Sequence, residues 1–154
     1  MHPNAVRVAE TLRAAGATGE VRELSDSARS AALAAEALGC PVGAIANSLV
    51  FRAGDDPILV LTSGAHRVDT GKVSALLGVA ALARADPDFV RAATGQPIGG
   101  VAPVGHPAAV RTVVDVALAA YDVVWAAAGT PHAVFPTTYE ELLRLTAGTP
   151  AEVG

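Results

Sequence analysis

Apolar residues along this chain switch between helical and extended spacing, and each switch marks the border of an element. Val8, Leu12 and Ala15 share one helical stripe that Asn4 is placed to cap and Gly16 to end, which predicts a first helix. Residues 21–24 predict a short strand. Ser25, Asp26 and Ser27 then offer caps for a second helix, whose Ala28, Ala31, Ala35 and Leu38 repeat at helical spacing before Gly39 and Pro41 stop it. Such small residues permit close packing.

Residues 45–52 and 58–63 predict two strands, and Ala53-Gly54-Asp55-Asp56-Pro57 between them is turn-forming, so the pair predicts an antiparallel hairpin. Asp69 or Thr70 starts a helix through Leu77 to Gly78, and Asp86-Pro87 opens another that ends near Gly95. Residues 112–114 predict a strand. Residues 123–128 predict a further one, with residues 133–135 its partner across Gly129-Thr130-Pro131-His132. Thr137-Thr138-Tyr139-Glu140 has the spacing of a capping box and launches a last helix with Leu142, Leu143 and Leu145. Strands mixed with helices in this order predict an α/β (α+β) chain with a mixed sheet.

With 154 residues, half of them apolar, the chain fits one domain spanning 1–154 with a substantial core. No apolar run is long enough to span a bilayer, and the N-terminus lacks the pattern of a secretion signal, so a soluble, cytoplasmic protein without a membrane partner is expected. The single cysteine, Cys40, predicts neither an internal disulfide nor a CxxC site. A net charge of −4 disfavours broad attachment to DNA or RNA, leaving only local arginine contacts with phosphate. All the basic residues but Lys72 are arginines.

The stretch Ile98-Gly99-Gly100-Val101-Ala102-Pro103-Val104-Gly105-His106-Pro107 combines adjacent glycines, which leave backbone N–H groups approachable, with prolines that stiffen the loop. It suits a tight turn or a ligand cradle. Period-two alternation puts Asn47 on the strand face that carries Ile45, Leu49 and Phe51, so its amide needs either a wet or ligand-filled pocket or a backbone partner at a bulge. In the loop Thr62-Ser63-Gly64-Ala65-His66-Arg67-Val68-Asp69, a Ser63-His66-Asp69 triad would need residues too close in sequence to point at one another. The simpler expectation is a helix entry in which Asp69 caps and Arg67 pairs or meets phosphate. Gly64 to Lys72 has the wrong spacing for a phosphate loop, and His66, His106 and His132 share no ligand spacing for a metal. Trp125 on a strand is expected to be core, and the other aromatics are too sparse to stack successive bases, although one terminal nucleotide remains feasible.

Four segments in order, Ile45-Ala46-Asn47-Ser48-Leu49-Val50-Phe51, Leu59-Val60-Leu61-Thr62-Ser63-Gly64 with Arg67-Val68-Asp69, Gly99-Gly100-Val101-Ala102-Pro103-Val104-Gly105, and Val124-Trp125-Ala126-Ala127-Ala128-Gly129, resemble the YbaK/ProX family. These are free-standing relatives of the editing domain of bacterial prolyl-tRNA synthetases. The resemblance spans residues 28–153. It implies a mixed, strongly bent or barrel-like β-sheet with flanking helices, and an aminoacyl-tRNA deacylase that hydrolyses the ester of a mischarged tRNA carrying a small amino acid. It implies no metal, no other cofactor and no covalent nucleophile. Its partners would be the 3′-terminal nucleotide and amino acid of an aminoacyl-tRNA, and an aminoacyl-tRNA synthetase.

Carried onto this chain, the resemblance makes Gly99, Gly100 and Asn47 the catalytic residues, the loop supplying backbone N–H groups to the oxyanion. Ser48, Ser63, His66, Arg67, Asp69, Pro103 and Gly129 become substrate-binding. One departure stands out: the family has a lysine where this chain has Asn47, which keeps a donor but loses charge and reach. That departure leaves open a catalytically impaired module that binds aminoacyl-tRNA or a synthetase.

Overall fold

The computed structural model describes residues 1–154. The helices are α1 (Pro3–Ala14), α2 (Ala31–Leu38), α3 (Thr70–Leu77), α4 (Pro87–Thr94) and α5 (Tyr139–Thr146). The strands are β1 (Arg22–Glu23), β2 (Ile45–Ala53), β3 (Asp56–Ser63), β4 (Ala83–Arg84), β5 (Arg111–Asp115), β6 (Val124–Ala127), β7 (Ala133–Thr137) and β8 (Thr149–Ala151). They form one mixed sheet in the order β1-β7-β6-β2-β3-β5-β8, and β4 pairs with β2 beside it. No helix is long and apolar enough to cross a membrane.

The hairpin of β2 and β3 forms with a regular register from Ala46 opposite Ser63 to Ala53 opposite Asp56. β3 is an interior strand between β2 and β5, and its unbroken run Ile58-Leu59-Val60-Leu61 has the sequence of a strand covered on both faces. Leu59 and Leu61 pack beneath Val8 and Leu12 of α1, Val90 of α4 and Leu142 of α5, whereas Ile58 and Val60 pack beneath Val73 and Leu77 of α3. Each fully buried leucine or valine here removes enough apolar area from water to stabilise the fold by about 1.5–3 kcal/mol. A third, smaller cluster sets Ala34 and Ala35 of α2 against Ile45, with Trp125 at its margin.

Several element borders fall elsewhere than the sequence pattern predicts. His2, not Asn4, caps α1, because Pro3 takes the first helical position and the His2 ring accepts from the Asn4 N–H (3.0 Å). Ser30, not the cluster at 25–27, caps α2 by accepting from the Leu33 N–H (3.2 Å). Residues before it instead bond other loops, the Ala28 N–H reaching the Pro131 carbonyl (2.6 Å). The α5 cap lies one residue later than the expected box: Thr138 accepts from the Glu141 N–H (3.1 Å) while the Glu141 carboxylate takes the Thr137 hydroxyl (2.7 Å). β4 and β8 carry no strand signal of their own; two or three residues pair only because long strands lie alongside.

Candidate active site

Strand β2 has a gap along one edge. The Gly64 N–H donates to the Ile45 carbonyl (2.9 Å), and bonded positions alternate along an antiparallel pair, so the odd-numbered residues of β2 bond β3. The even-numbered residues turn their N–H and C=O groups to the opposite edge. There β6 pairs with Ala46 and β4 with Arg52, and between them Ser48 and Val50 face no strand.

The glycine loop closes over this gap and is held from within by Gln96, which is 1% exposed. Its Oε1 accepts from the Ala102 N–H (2.6 Å), its Nε2 donates to the Val104 carbonyl (3.2 Å), and its own N–H reaches Thr94 Oγ1 (3.1 Å). The His106 ring nitrogen Nε2 lies 2.7 Å from the Ala102 carbonyl and so carries the proton. Burial lowers the His106 pKa below the ordinary imidazole value, outweighing the raising effect of that bond, and the ring is neutral at pH 7. Gln96→Ala is expected to leave two buried loop groups unpaired and to cost about 1–3 kcal/mol, read from the midpoint of urea unfolding.

The two adjacent glycines have different jobs. Gly100 packs against the chain at Thr130, where a Cβ would lie 2.5 Å from the Thr130 carbonyl carbon. Its N–H donates to the Pro97 carbonyl (3.0 Å) and its carbonyl accepts from the Gly129 N–H (2.8 Å). The Gly100 amide is therefore spent on the turn rather than offered to a ligand, a correction to the role expected of it. Gly99 has φ +85 and lies against Arg29, and its N–H, like that of Val101, makes no hydrogen bond within the chain.

Residues of β2, β6, α2 and this loop enclose a cavity of about 390 Å³, its open mouth included. Asn47, Ser48, Arg29 and Ser30 supply its polar groups, and Ala28, Ala31, Ala34, Ala46, Ala126 and Ala127 much of its wall. The Asn47 side chain makes no hydrogen bond within the chain, and β2 has no bulge there, so of the two expectations for this amide the pocket prevails. The Ser48 hydroxyl is buried without a partner, a condition costing about 1–3 kcal/mol that a bound ligand or water would relieve. Trp125 is half-buried and lines the cavity instead of filling the core, with the Arg22 guanidinium 4.9 Å over its ring.

The remaining expected residues lie elsewhere. The Ser63 hydroxyl is buried and donates to the Gly43 carbonyl (2.7 Å). His66 turns to Asp115, its Nε2 2.5 Å from the carboxylate, so no Ser63-His66-Asp69 triad exists. Asp69 caps α3 by accepting from the Lys72 N–H (3.1 Å), as expected, while Arg67 is exposed and pairs with nothing. Pro103 is buried in the inner half of the loop. Gly129 lies behind it, where the Asn4 side chain donates to its carbonyl (3.2 Å). None of these six lines the cavity. Lys72 does not replace the missing lysine either, because its ammonium donates to the Gly154 carbonyl (2.8 Å). The cation that does face the cavity is Arg29.

Sequence reasoning missed Arg29, Trp125 as a lining residue, and Asp115. Arg29 precedes a helix cap and has no local signature. Asp115 did have one, a carboxylate at the end of the apolar run Val113-Val114, which signals a buried charge with partners nearby.

The family model described as an aminoacyl-tRNA editing domain matches residues 25–145. The chain is 33% identical over 124 residues to the Bacillus subtilis (strain 168) protein YwhH, a match covering 80% of this chain and 78% of that protein. It is 35% identical over 81 residues to a proline–tRNA ligase of Nitratidesulfovibrio vulgaris, covering 53% of this chain and 14% of the ligase. A crystal structure described as that of a candidate trans-editing enzyme for prolyl tRNA synthetase superposes with a TM-score of 0.93 at 44% identity, covering 99% of this chain and 98% of that one.

Proposed function

Because the chain belongs to the aminoacyl-tRNA editing domain family, we propose that it acts in trans on mischarged tRNA, hydrolysing the ester that joins a small amino acid to the terminal ribose. The observation that carries this reading is the alanine-walled cavity at the open edge of β2, lined also by Gly99, whose N–H is unbonded within the chain. Alanine walls around so small a hollow leave room for only a small side chain.

Water supplies the nucleophile. Its oxygen adds to the ester carbonyl carbon, the carbonyl oxygen takes the negative charge, and collapse expels the ribose oxygen, which leaves as a hydroxyl with a proton from the attacking water. The Gly99 N–H, with that of Val101, is the donor set for the oxyanion, a role for which fixed backbone amides need no rearrangement. The lining contains no histidine, aspartate or glutamate to act as a general base. Asn47 Oδ1 orients the water, and the Arg29 guanidinium offsets the developing charge and the RNA phosphates.

The test is a panel of misacylated tRNAs carrying small amino acids, with a lysine-bearing relative as positive control. Hydrolysis of at least one member is expected, and Asn47→Ala is expected to lower kcat/KM about tenfold. No hydrolysis above background by the unaltered protein would overturn the proposal. The uncharged Asn47 favours one second reading, a module that binds aminoacyl-tRNA without cleaving it. Asn47→Lys separates the two: activity appearing where there was none supports the module, whereas reduced activity shows that Asn47 serves the enzyme.

A further inference from the structure

The glycine loop is also held from behind, by a side chain of α1 that does not line the cavity. Asn4 is half-buried, and its Nδ2 donates to the Gly129 carbonyl (3.2 Å) and to the Gly95 carbonyl (3.5 Å). Both partners only accept, so the amide presents its NH2 group and each hydrogen serves one carbonyl. Gly129 in turn donates its N–H to the Gly100 carbonyl (2.8 Å). The Gly95 carbonyl shares a peptide with the Gln96 N–H, which reaches Thr94 Oγ1 (3.1 Å). Packing follows the same path. Val8 lies beside Gly105, where an added Cβ would meet it at 3.4 Å, and Ala5, Val8 and Leu12 share a core cluster with Val101, Ala102 and Val104. Helix α1 therefore holds the loop at its start, at its end and, through Gly129, in its middle.

Resting on the proposed deacylation, we infer that Asn4 is a positioning residue for the oxyanion donors, acting through Gly129. The Gly100 carbonyl and the Val101 N–H belong to one planar trans peptide and so point in opposite directions. Fixing the carbonyl on the Gly129 N–H therefore fixes the aim of the Val101 N–H, away from Gly129. Val101 lines the cavity and Gly129 does not. Gly129 is itself the residue type with the most backbone freedom, so its peptides keep this orientation only where their polar groups are held. Asn4 is the one group that bonds the Gly129 carbonyl, and the Asn4 backbone fills the space where a Cβ on Gly129 would lie, 2.9 Å from the Asn4 oxygen. Oxyanion stabilisation depends on this aim, because a backbone donor acts only from a fixed distance and direction. The influence of Asn4 on the reaction runs through the loop alone.

Asn4→Asp tests the assignment, since a carboxylate has the size of the amide and suits the first turn of a helix, yet has no hydrogen to donate. Its kcat on a misacylated tRNA is expected to fall about tenfold, with KM changed by less than about twofold. Asn4→Ala, which loses the donor without adding charge, should show the same split. In both variants, backbone amide shifts by NMR are expected to move at Gly100, Val101 and Gly129, and the Gly129 N–H to exchange faster with solvent. Leu12→Ala is the control. It removes a buried side chain about two turns further along α1, lowers the urea midpoint, and should leave kcat within about twofold. Unchanged kcat in both Asn4 variants, shifts confined to α1, or an equal loss of kcat in Leu12→Ala would overturn the inference. Deacylation is scored separately. Hydrolysis with kcat untouched by either Asn4 variant defeats this inference alone. With no hydrolysis by the unaltered protein the proposed reaction falls, and the shifts at Val101 still decide whether Asn4 aims that amide.

Discussion

Gly99→Ala is expected to lower kcat for ester hydrolysis by about 10²- to 10³-fold, the loss that follows when one oxyanion donor is misplaced. The φ of +85 at this residue is costly for any side chain, and an added Cβ would lie 2.8 Å from Arg29 Cβ and 3.2 Å from its backbone. The chain must rotate or move away from Arg29, and either change turns the Gly99 N–H from the ester. Steady-state kinetics on a misacylated tRNA check this, with kcat falling much further than KM rises. A change in kcat below about threefold, with the fold intact, would assign the oxyanion to other donors. Stability should fall by only about 1–2 kcal/mol, since the strain is confined to one exposed-side turn.

Asp115→Ala carries the largest expected cost to folding, about 3–5 kcal/mol in urea unfolding. The carboxylate is 1% exposed and gathers four donors: the Ser63 N–H (2.9 Å), the Thr62 hydroxyl (3.3 Å), the Ala117 N–H (2.9 Å) and His66 Nε2 (2.5 Å). Removing it strands buried groups at the ends of β3 and β5 together, and the cost is that of leaving donors unpaired. His66→Ala is expected to cost far less, about 1 kcal/mol, because three donors remain and the imidazole is partly in water. Equal losses for the two variants would show that the His66 contact alone, and not the set of donors, stabilises this corner.

The hairpin of β2 and β3, the caps at Asp69 and Asp86 and the pairing of β6 with β7 were legible because each rests on local chemistry: an alternating or unbroken apolar run, a side chain that reaches an amide three residues on, a turn rich in glycine. Asn47 was legible as an anomaly, a polar group on an apolar face. Ser63 and His66 do not line the cavity, because a motif gives adjacency in sequence but not direction. The Ser63 hydroxyl turns inward to Gly43 and the His66 ring turns to Asp115, 49 positions away, a partner that no local pattern could reveal.

The glycine pair shows where the division falls. Sequence by itself determined that residues 98–107 form a stiff, closely packed loop, because glycine and proline restrict or free the backbone whatever surrounds them. Only the tertiary structure decided that the Gly100 amide closes a turn on Pro97 while the Gly99 amide stays open beside Arg29, and that both lie over an unpaired stretch of β2. Hydrogen-bond partners and cavity walls come from strands and loops remote in the chain, so they exist only once the sheet order has brought β4, β6 and the loop to the same edge.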